Sequence, residues 1–273
     1  MATNNYQLFF FLPLLLAACT KSPLPPSMDK ADLHLSGQVH SVTITEYDAI
    51  AENGNFVPLD TLTFRTITFS PEGRIATIKH ESGEEHYFYA PGSRTIKRYD
   101  IDGEPDHDEI AHYDAQGNMV SWGLYFPDGE VMTLTEFSYS NNRCVEKRVF
   151  SGNREENLIN RDYRYDDEGH VLAYTSCSPQ GKVYYKWQCS YDAEGRPVCE
   201  QWIDENDSVL STDRYAYNDR GLLDFHQVGE YSDTYSYRYD EQGNYIEKIA
   251  TPSDNQERLV YTIETREITY FGE

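Results

Sequence analysis

A short phrase, Tyr-Asp-x-x-Gly, recurs along this chain at nearly constant spacing, and the recurrence limits the folds open to it more than any other feature. Clear copies are Tyr113-Asp114-Ala115-Gln116-Gly117, Tyr165-Asp166-Asp167-Glu168-Gly169, Tyr191-Asp192-Ala193-Glu194-Gly195, Tyr217-Asn218-Asp219-Arg220-Gly221 and Tyr239-Asp240-Glu241-Gln242-Gly243, with Tyr139-Ser140-Asn141-Asn142 a degraded one. The anchor tyrosines from 113 to 217 are 26 residues apart at each step, and the last step, to 239, is 22. A fixed period of this size marks an array of structural units. Tyrosine favours strands, the Asp or Asn after it can hydrogen-bond backbone two residues on, and glycine tolerates positive φ. Together they spell a hairpin turn.

Upstream of each anchor the residues alternate, most cleanly as Val183, Tyr185, Trp187, Cys189 and Tyr191 against Tyr184, Lys186, Gln188 and Ser190. Period two with one polar face predicts half-buried strands. A second turn lies midway between anchors, at Pro127-Asp128-Gly129, Ser178-Pro179-Gln180-Gly181 and Glu205-Asn206-Asp207-Ser208 among others. Each repeat is therefore two strands of roughly 8 residues and two turns. The expectation is an all-β fold, an elongated, twisted antiparallel β-meander built from tandem hairpin repeats. About sixteen strands would span roughly 75 Å if the sheet stayed open, and an open sheet of that length twists, curls or folds over.

At the N-terminus, Leu8 to Leu16 is an apolar run too short for a bilayer that needs about 20 residues. It ends in Leu16-Ala17-Ala18-Cys19, which resembles the lipobox of bacterial lipoproteins. That resemblance implies a signal peptide over 1–18 and an acylated Cys19 as the mature first residue, held in a membrane by its lipid chains. An uncleaved apolar N-terminus or a plain secretory signal is the alternative. Residues 19–36 include Lys21-Ser22-Pro23-Leu24-Pro25-Pro26-Ser27, a semi-stiff spacer. Strand-like stretches over 37–65 and 251–273 read as caps on an array covering 66–250.

The formal net charge of −23 argues against nucleic acid as a partner and keeps a long sheet soluble. Apart from Cys19 there are four cysteines, with no metal or redox spacing among them. Cys189 and Cys199 flank the turn at 191–195 and form a candidate disulfide; free buried thiols are the other reading.

The segments Tyr163-Arg164-Tyr165-Asp166-x-x-Gly169-His170-Val171 and Tyr237-Arg238-Tyr239-Asp240-x-x-Gly243-Asn244 resemble the YD repeat of Rhs-type proteins, over most of 66–250. With the lipobox, the chain resembles YD-repeat lipoproteins of Gram-negative bacteria, Bacteroidetes-like ones in particular. In large Rhs toxins such repeats imply a spiralling shell around a C-terminal toxic domain. Here the repeats are expected to be too few to close a shell, and the chain ends at Glu273, so a toxin function is not carried over. The resemblance favours an outer-membrane address, and carbohydrate binding is a role it suggests.

Tyrosine, 23 in number, suits both cross-strand packing and stacking on sugar rings, and packing is the preferred reading for the phrase tyrosines. Trp122, Trp187 and Trp202 lie off the phrase and are the candidate ligand contacts. Asp100, Asp102, Asp106 and Asp108 surround Gly103 in the densest acidic stretch, where calcium is one reading and a solvated turn the other. No nucleophile, zinc or phosphate-loop motif is present, and the eight histidines are scattered. The sequence thus reads as a non-enzymatic, lipid-anchored envelope protein with a binding or scaffolding sheet. A glycan-binding surface lipoprotein and a calcium-stabilised adhesin-like stalk are the alternatives, and the protein or glycan partner is left unnamed.

Overall fold

The computed structural model describes residues 29–53, 55–152, 154–253 and 260–272. The lipobox residues Leu16, Ala17, Ala18 and Cys19 lie outside that range. The described chain forms strands β1 (Val39–Glu52), β2 (Asn55–Phe69), β3 (Ile75–His80), β4 (Gly83–Ala90), β5 (Ser93–Asp100), β6 (Pro105–Tyr113), β7 (Met119–Tyr125), β8 (Val131–Ser140) and β9 (Arg143–Ser151). It continues through β10 (Glu156–Tyr165), β11 (Val171–Cys177), β12 (Val183–Tyr191), β13 (Pro197–Ile203), β14 (Val209–Tyr217), β15 (Leu223–Val228), β16 (Tyr231–Tyr239), β17 (Tyr245–Pro252) and β18 (Val260–Tyr270).

Every strand pairs antiparallel with its successor in the sequence. β18 also pairs with β1, from Val39 opposite Tyr270 to Ile50 opposite Val260. The all-β antiparallel meander is present, but it is a closed 18-stranded barrel and not an elongated sheet. The stretches expected to cap the two ends instead join them, and the repeats expected to be too few for a shell form a ring. Two forces explain the difference. Twist accumulates from strand to strand and brings the ends round, and closure satisfies two edges that would otherwise expose unpaired backbone groups. Eighteen strands at about 4.8 Å give about 86 Å measured across the strands and, with the usual tilt, a barrel roughly 35 Å across.

The turns explain the phrase. Asp114 N–H donates to the Asn118 carbonyl, and Gly117 N–H donates to the Asp114 carbonyl. The same pair of bonds recurs in turns starting at Asp100, Phe126, Ser178, Asp192, Asn218 and Asp240, so both ends of the barrel use one design. This is a tight turn followed by a residue of positive φ that forms a bulge, and Gly117 supplies it at φ 85°. The aspartate side chain completes the turn. Asp192 Oδ1 accepts from the Glu194 and Arg196 N–H groups, and Asp166 Oδ1 accepts from those of Gly169 and His170. Desolvation alone would raise the Asp166 and Asp192 carboxyls, but the hydrogen bonds from the turn outweigh it and hold both below the usual carboxylate range.

The anchor tyrosines lock neighbouring units together. Tyr139, Tyr165, Tyr191 and Tyr217 donate their hydroxyls to the carbonyls of Met119, Cys144, Val171 and Pro197, at 2.5 to 2.9 Å. Each acceptor is the first or second residue of the preceding strand, next to the bulge where the ladder slips register. A basic residue in or just after one turn then lies on the next anchor ring: Arg143 over Tyr165, Arg196 over Tyr217 and Arg220 over Tyr239, with His170 stacked on Tyr191.

The N-terminal segment enters across this same rim. Lys30 N–H donates to Gly73, Ser36 N–H donates to Asn244 Oδ1, and Arg266 donates to the Leu33 carbonyl. Leu35 is buried with Val39, Val42 and Ile44 of β1, Ile67 and Phe69 of β2, and Ile75 of β3, forming the main apolar core beside the closing seam.

Arg154 occupies the bulge position with φ 62°, where other turns carry glycine, and its side chain is exposed. Replacing it with glycine removes left-handed strain of about 1–2 kcal/mol, which exceeds the roughly 0.5–1 kcal/mol that glycine's extra unfolded-state freedom costs. The Arg154→Gly variant is therefore expected to unfold at higher urea concentration than the wild type with an unchanged m-value.

Candidate functional site: the inner wall of the barrel

Strand alternation sorts the side chains into two populations. On β16, Tyr235, Tyr237 and Tyr239 are half-buried while Thr234, Ser236 and Arg238 are exposed, and because side chains converge on the inside of a closed sheet and diverge outside it, the more buried tyrosine face is the concave one. The outer face at the closing seam is hydroxylated: Ser41 bonds Thr269, Thr43 bonds Thr66, and Thr68 bonds Thr77 across β18, β1, β2 and β3. A barrel of this strand number is wide enough for an aqueous lumen, so the inner wall is the concave surface open to a ligand.

That wall is aromatic. Tyr163, Tyr174, Tyr185 and Trp187 form a continuous set of ring contacts with centroids 5.1 to 6.3 Å apart, and Trp202 sits opposite Trp187 in the β12–β13 register. Tyr215 stacks on His226 at 4.8 Å with rings nearly parallel. Tyr237 meets Tyr245 edge-on, and the Arg266 guanidinium lies over the Tyr245 ring.

Between the rings sit three groups of ionisable side chains. In the first, Arg94 pairs with Glu109 at 2.9 Å, Arg98 pairs with Glu85 at 2.9 Å and Tyr87 donates to Glu85. In the second, Glu264 pairs with Arg266 at 2.8 Å and with Lys248 at 3.7 Å, while Tyr245 donates to Glu264 and contacts Arg266. Burial would raise the Glu264 carboxyl, yet Arg266 and Lys248 together bring it below its ordinary value. In the third, Tyr215 donates to Glu200 and Asp213, and His226 lies 3.8 Å from Asp213. Burial raises the Glu200 carboxyl, and the neighbouring Asp213 adds to the rise against the bond from Tyr215.

All three tryptophans singled out in the sequence face inward. Trp187 is 3% exposed, and Trp122 and Trp202 are half-buried against the clusters of β6–β8 and β10–β13. The proposed disulfide is not formed, because the turn bulge sets Ser190 opposite Cys199 and Cys189 opposite Glu200. The two thiols therefore lie on opposite faces of the sheet. Burial pushes the Cys189 thiol up to about 12, so it is a packing residue and not a nucleophile. The four aspartates expected around calcium do not converge. Asp100 Oδ1 accepts the Asp102 and Glu104 N–H groups of its own turn, Asp106 pairs with His107, and Asp108 pairs with Lys97. Among the described residues no group of three or more His, Cys, Asp or Glu side chains is arranged to hold a metal ion. The ionisable groups of the inner wall were hidden in the sequence, because in so acidic a chain single carboxylates at alternating positions carry no visible signal.

No family model matches the sequence, and no curated protein matches it. Among solved structures, a porin-like protein from Bacteroides uniformis is 11% identical and aligns over 86% of this chain and 98% of its own, with a TM-score of 0.46. The Photorhabdus luminescens Tc holotoxin pore is 16% identical over 79% of this chain and 13% of its own, with a TM-score of 0.35. A putative outer membrane lipoprotein-sorting protein domain from Vibrio parahaemolyticus is 10% identical over 85% of this chain and 86% of its own, at 0.20.

The raised Glu200 favours folding in its neutral form, a contribution present below the ordinary value near 4.5 and lost as pH rises through the folded value. Glu200→Gln is therefore expected to raise the melting temperature at pH 8 and to leave it unchanged at pH 4. Glu264 has the opposite sign: its contribution is present above the ordinary value near 4.5 and is lost on acidification. Glu264→Gln should thus lower the melting temperature at pH 7 and lose that effect in acid, as read by thermal unfolding across the same pH range.

Proposed function

We propose that this protein is a non-enzymatic, lipid-anchored binding protein of the cell envelope, a YD-repeat lipoprotein whose ligand is held on the inner wall of a water-filled barrel. The observation that carries the reading is the sorting of chemistry by face. The anchor tyrosines and Trp122, Trp187 and Trp202 point inward, whereas the outer wall, which also carries Phe64, Phe88 and Tyr184 singly, presents mainly residues such as Thr43, Thr68, Lys186, Gln188, Ser236 and Arg238.

A barrel that crosses a bilayer needs an apolar outward band about 25 Å tall. The polar outer wall supports a barrel bathed in water and attached by Cys19, not one that conducts through a membrane. The wall's chemistry supports a glycan as ligand, since sugar rings present an apolar face to aromatic rings and hydroxyls to the carboxylates between them.

Two outcomes test this. Cys19→Ala should abolish incorporation of labelled palmitate and move the protein from the membrane to the soluble fraction; a variant that stays on the membrane ends the anchoring proposal. Titrating the lipidated protein with cellohexaose, chitohexaose and maltohexaose should quench tryptophan fluorescence for at least one of them. Trp202→Ala should weaken that binding by roughly 3- to 10-fold, as expected for one lost aromatic contact. Silence with all three sugars would remove the glycan reading.

A further inference from the structure

The inward-facing cations of the barrel are balanced by carboxylates from their own wall. Arg94 and Arg98 share Glu109 and Glu85, and Lys248 and Arg266 share Glu264. Lys147 departs from this pattern. It stands on β9 opposite Phe137 of β8 and Asn160 of β10, in the inward register, and among the described residues no carboxylate lies within ion-pairing distance of it. Burial lowers its ammonium from the usual lysine value, with only a slight opposing effect from Cys144.

The row continues across the wall. Asn160 lies opposite Ser176 of β11, and Ser176 lies opposite Tyr185 of β12. Asn160 is 5% exposed and Ser176 is fully buried, yet Asn160 Oδ1 and Ser176 Oγ have no hydrogen-bond partner in the protein. Directly opposed positions on neighbouring strands stand about 5 Å apart at Cβ, so the ammonium, the amide oxygen and the hydroxyl fall within roughly 10 Å along one line. Buried polar groups left unpaired in a folded protein require an explanation, and two in succession beside a half-buried ammonium on the concave wall share one.

We propose that Lys147, Asn160 and Ser176 form a subsite for a carboxylated sugar, a uronic acid residue of a glycan bound in the lumen. This rests on the inner-wall reading above and narrows its ligand. The half-buried Lys147 faces the lumen, and drawing its ammonium onto the ligand carboxylate opens the row beneath it to the sugar hydroxyls. Asn160 Oδ1 accepts from one hydroxyl and Ser176 Oγ meets another, while Tyr163 and Phe137 flank the ring. A charge-assisted bond to an otherwise unmatched ammonium supplies the preference for acid over neutral sugar.

The test compares oligogalacturonate with its uncharged methyl ester, titrated by calorimetry into the full lipidated protein in detergent. The acid is expected to bind at least 10-fold more tightly than the ester. Lys147→Met is expected to bring the two to equal affinity without weakening the ester, whereas Lys147→Arg keeps the preference. Equal affinity of acid and ester for the wild type overturns the subsite, and so does a preference that survives Lys147→Met. If Lys147→Met fails to fold, the wild-type comparison together with Ser176→Ala, expected to weaken the acid and leave the ester unchanged, carries the decision. Binding of the ester without preference for the acid sinks the subsite but leaves the inner-wall reading standing; failure of both sugars to bind sinks the two together.

Discussion

Eleven paired positions between β1 and β18 hold the ring shut, and the rest of the architecture depends on them. Without that seam the molecule would be an open sheet with two long unpaired edges, and its tyrosine face would lie against water. With it, the same face becomes the inside of a cylinder. The seam is also where the apolar core is densest, since Val42, Ile44 and Ile67 pack there under Leu35 from the entering N-terminal segment. Backbone pairing and side-chain burial therefore reinforce each other at the one joint that the repeat itself does not supply.

Closure changes what a charged residue costs. A carboxylate on an exposed sheet face is solvated, whereas Glu264 or Glu109 between aromatic rings is desolvated and requires a partner. The wall answers with Arg94, Arg98 and Lys248, each seated opposite or diagonal to an acid, and with Arg266, two residues along its own strand from Glu264. Around Glu200 the answer is different: Tyr215 donates a hydrogen bond, no lysine or arginine counterpart contributes, and the carboxyl is shifted toward its neutral form. One inner surface thus holds two electrostatic regimes, compensated acids on β4–β6 and β17–β18 and an uncompensated acidic pair on β13–β14.

The turns, the strand period and the inward direction of Trp187 were legible in the sequence because each is local. The positions of Tyr165, Asp166 and Gly169 specify their turn within five residues, and alternation from Val183 to Tyr191 specifies a face. Closure was not legible, because it depends on twist summed over the whole array and on Val39 meeting Tyr270 from opposite ends of the chain. The Cys189–Cys199 pairing failed for a similar reason. Counting residues on either side of a turn ignores the bulge, and a slip of one position moves a side chain to the other face. The row Lys147, Asn160 and Ser176 has no motif at all, for its members come from three strands and are related only by register.

The bore of this cylinder is quantised by its genetic unit. One duplicated copy of the Tyr-Asp unit would add two staves and keep the total even, so the last stave would still run antiparallel to the first. The tyrosine hydroxyls and the stacked arginines each bridge to the adjacent copy only, so an inserted unit would find its partners on both sides already in place. Each duplication would widen the opening by about 4 Å. A lineage built on such a cylinder can resize its cavity by unequal crossing-over alone, before a single wall residue changes.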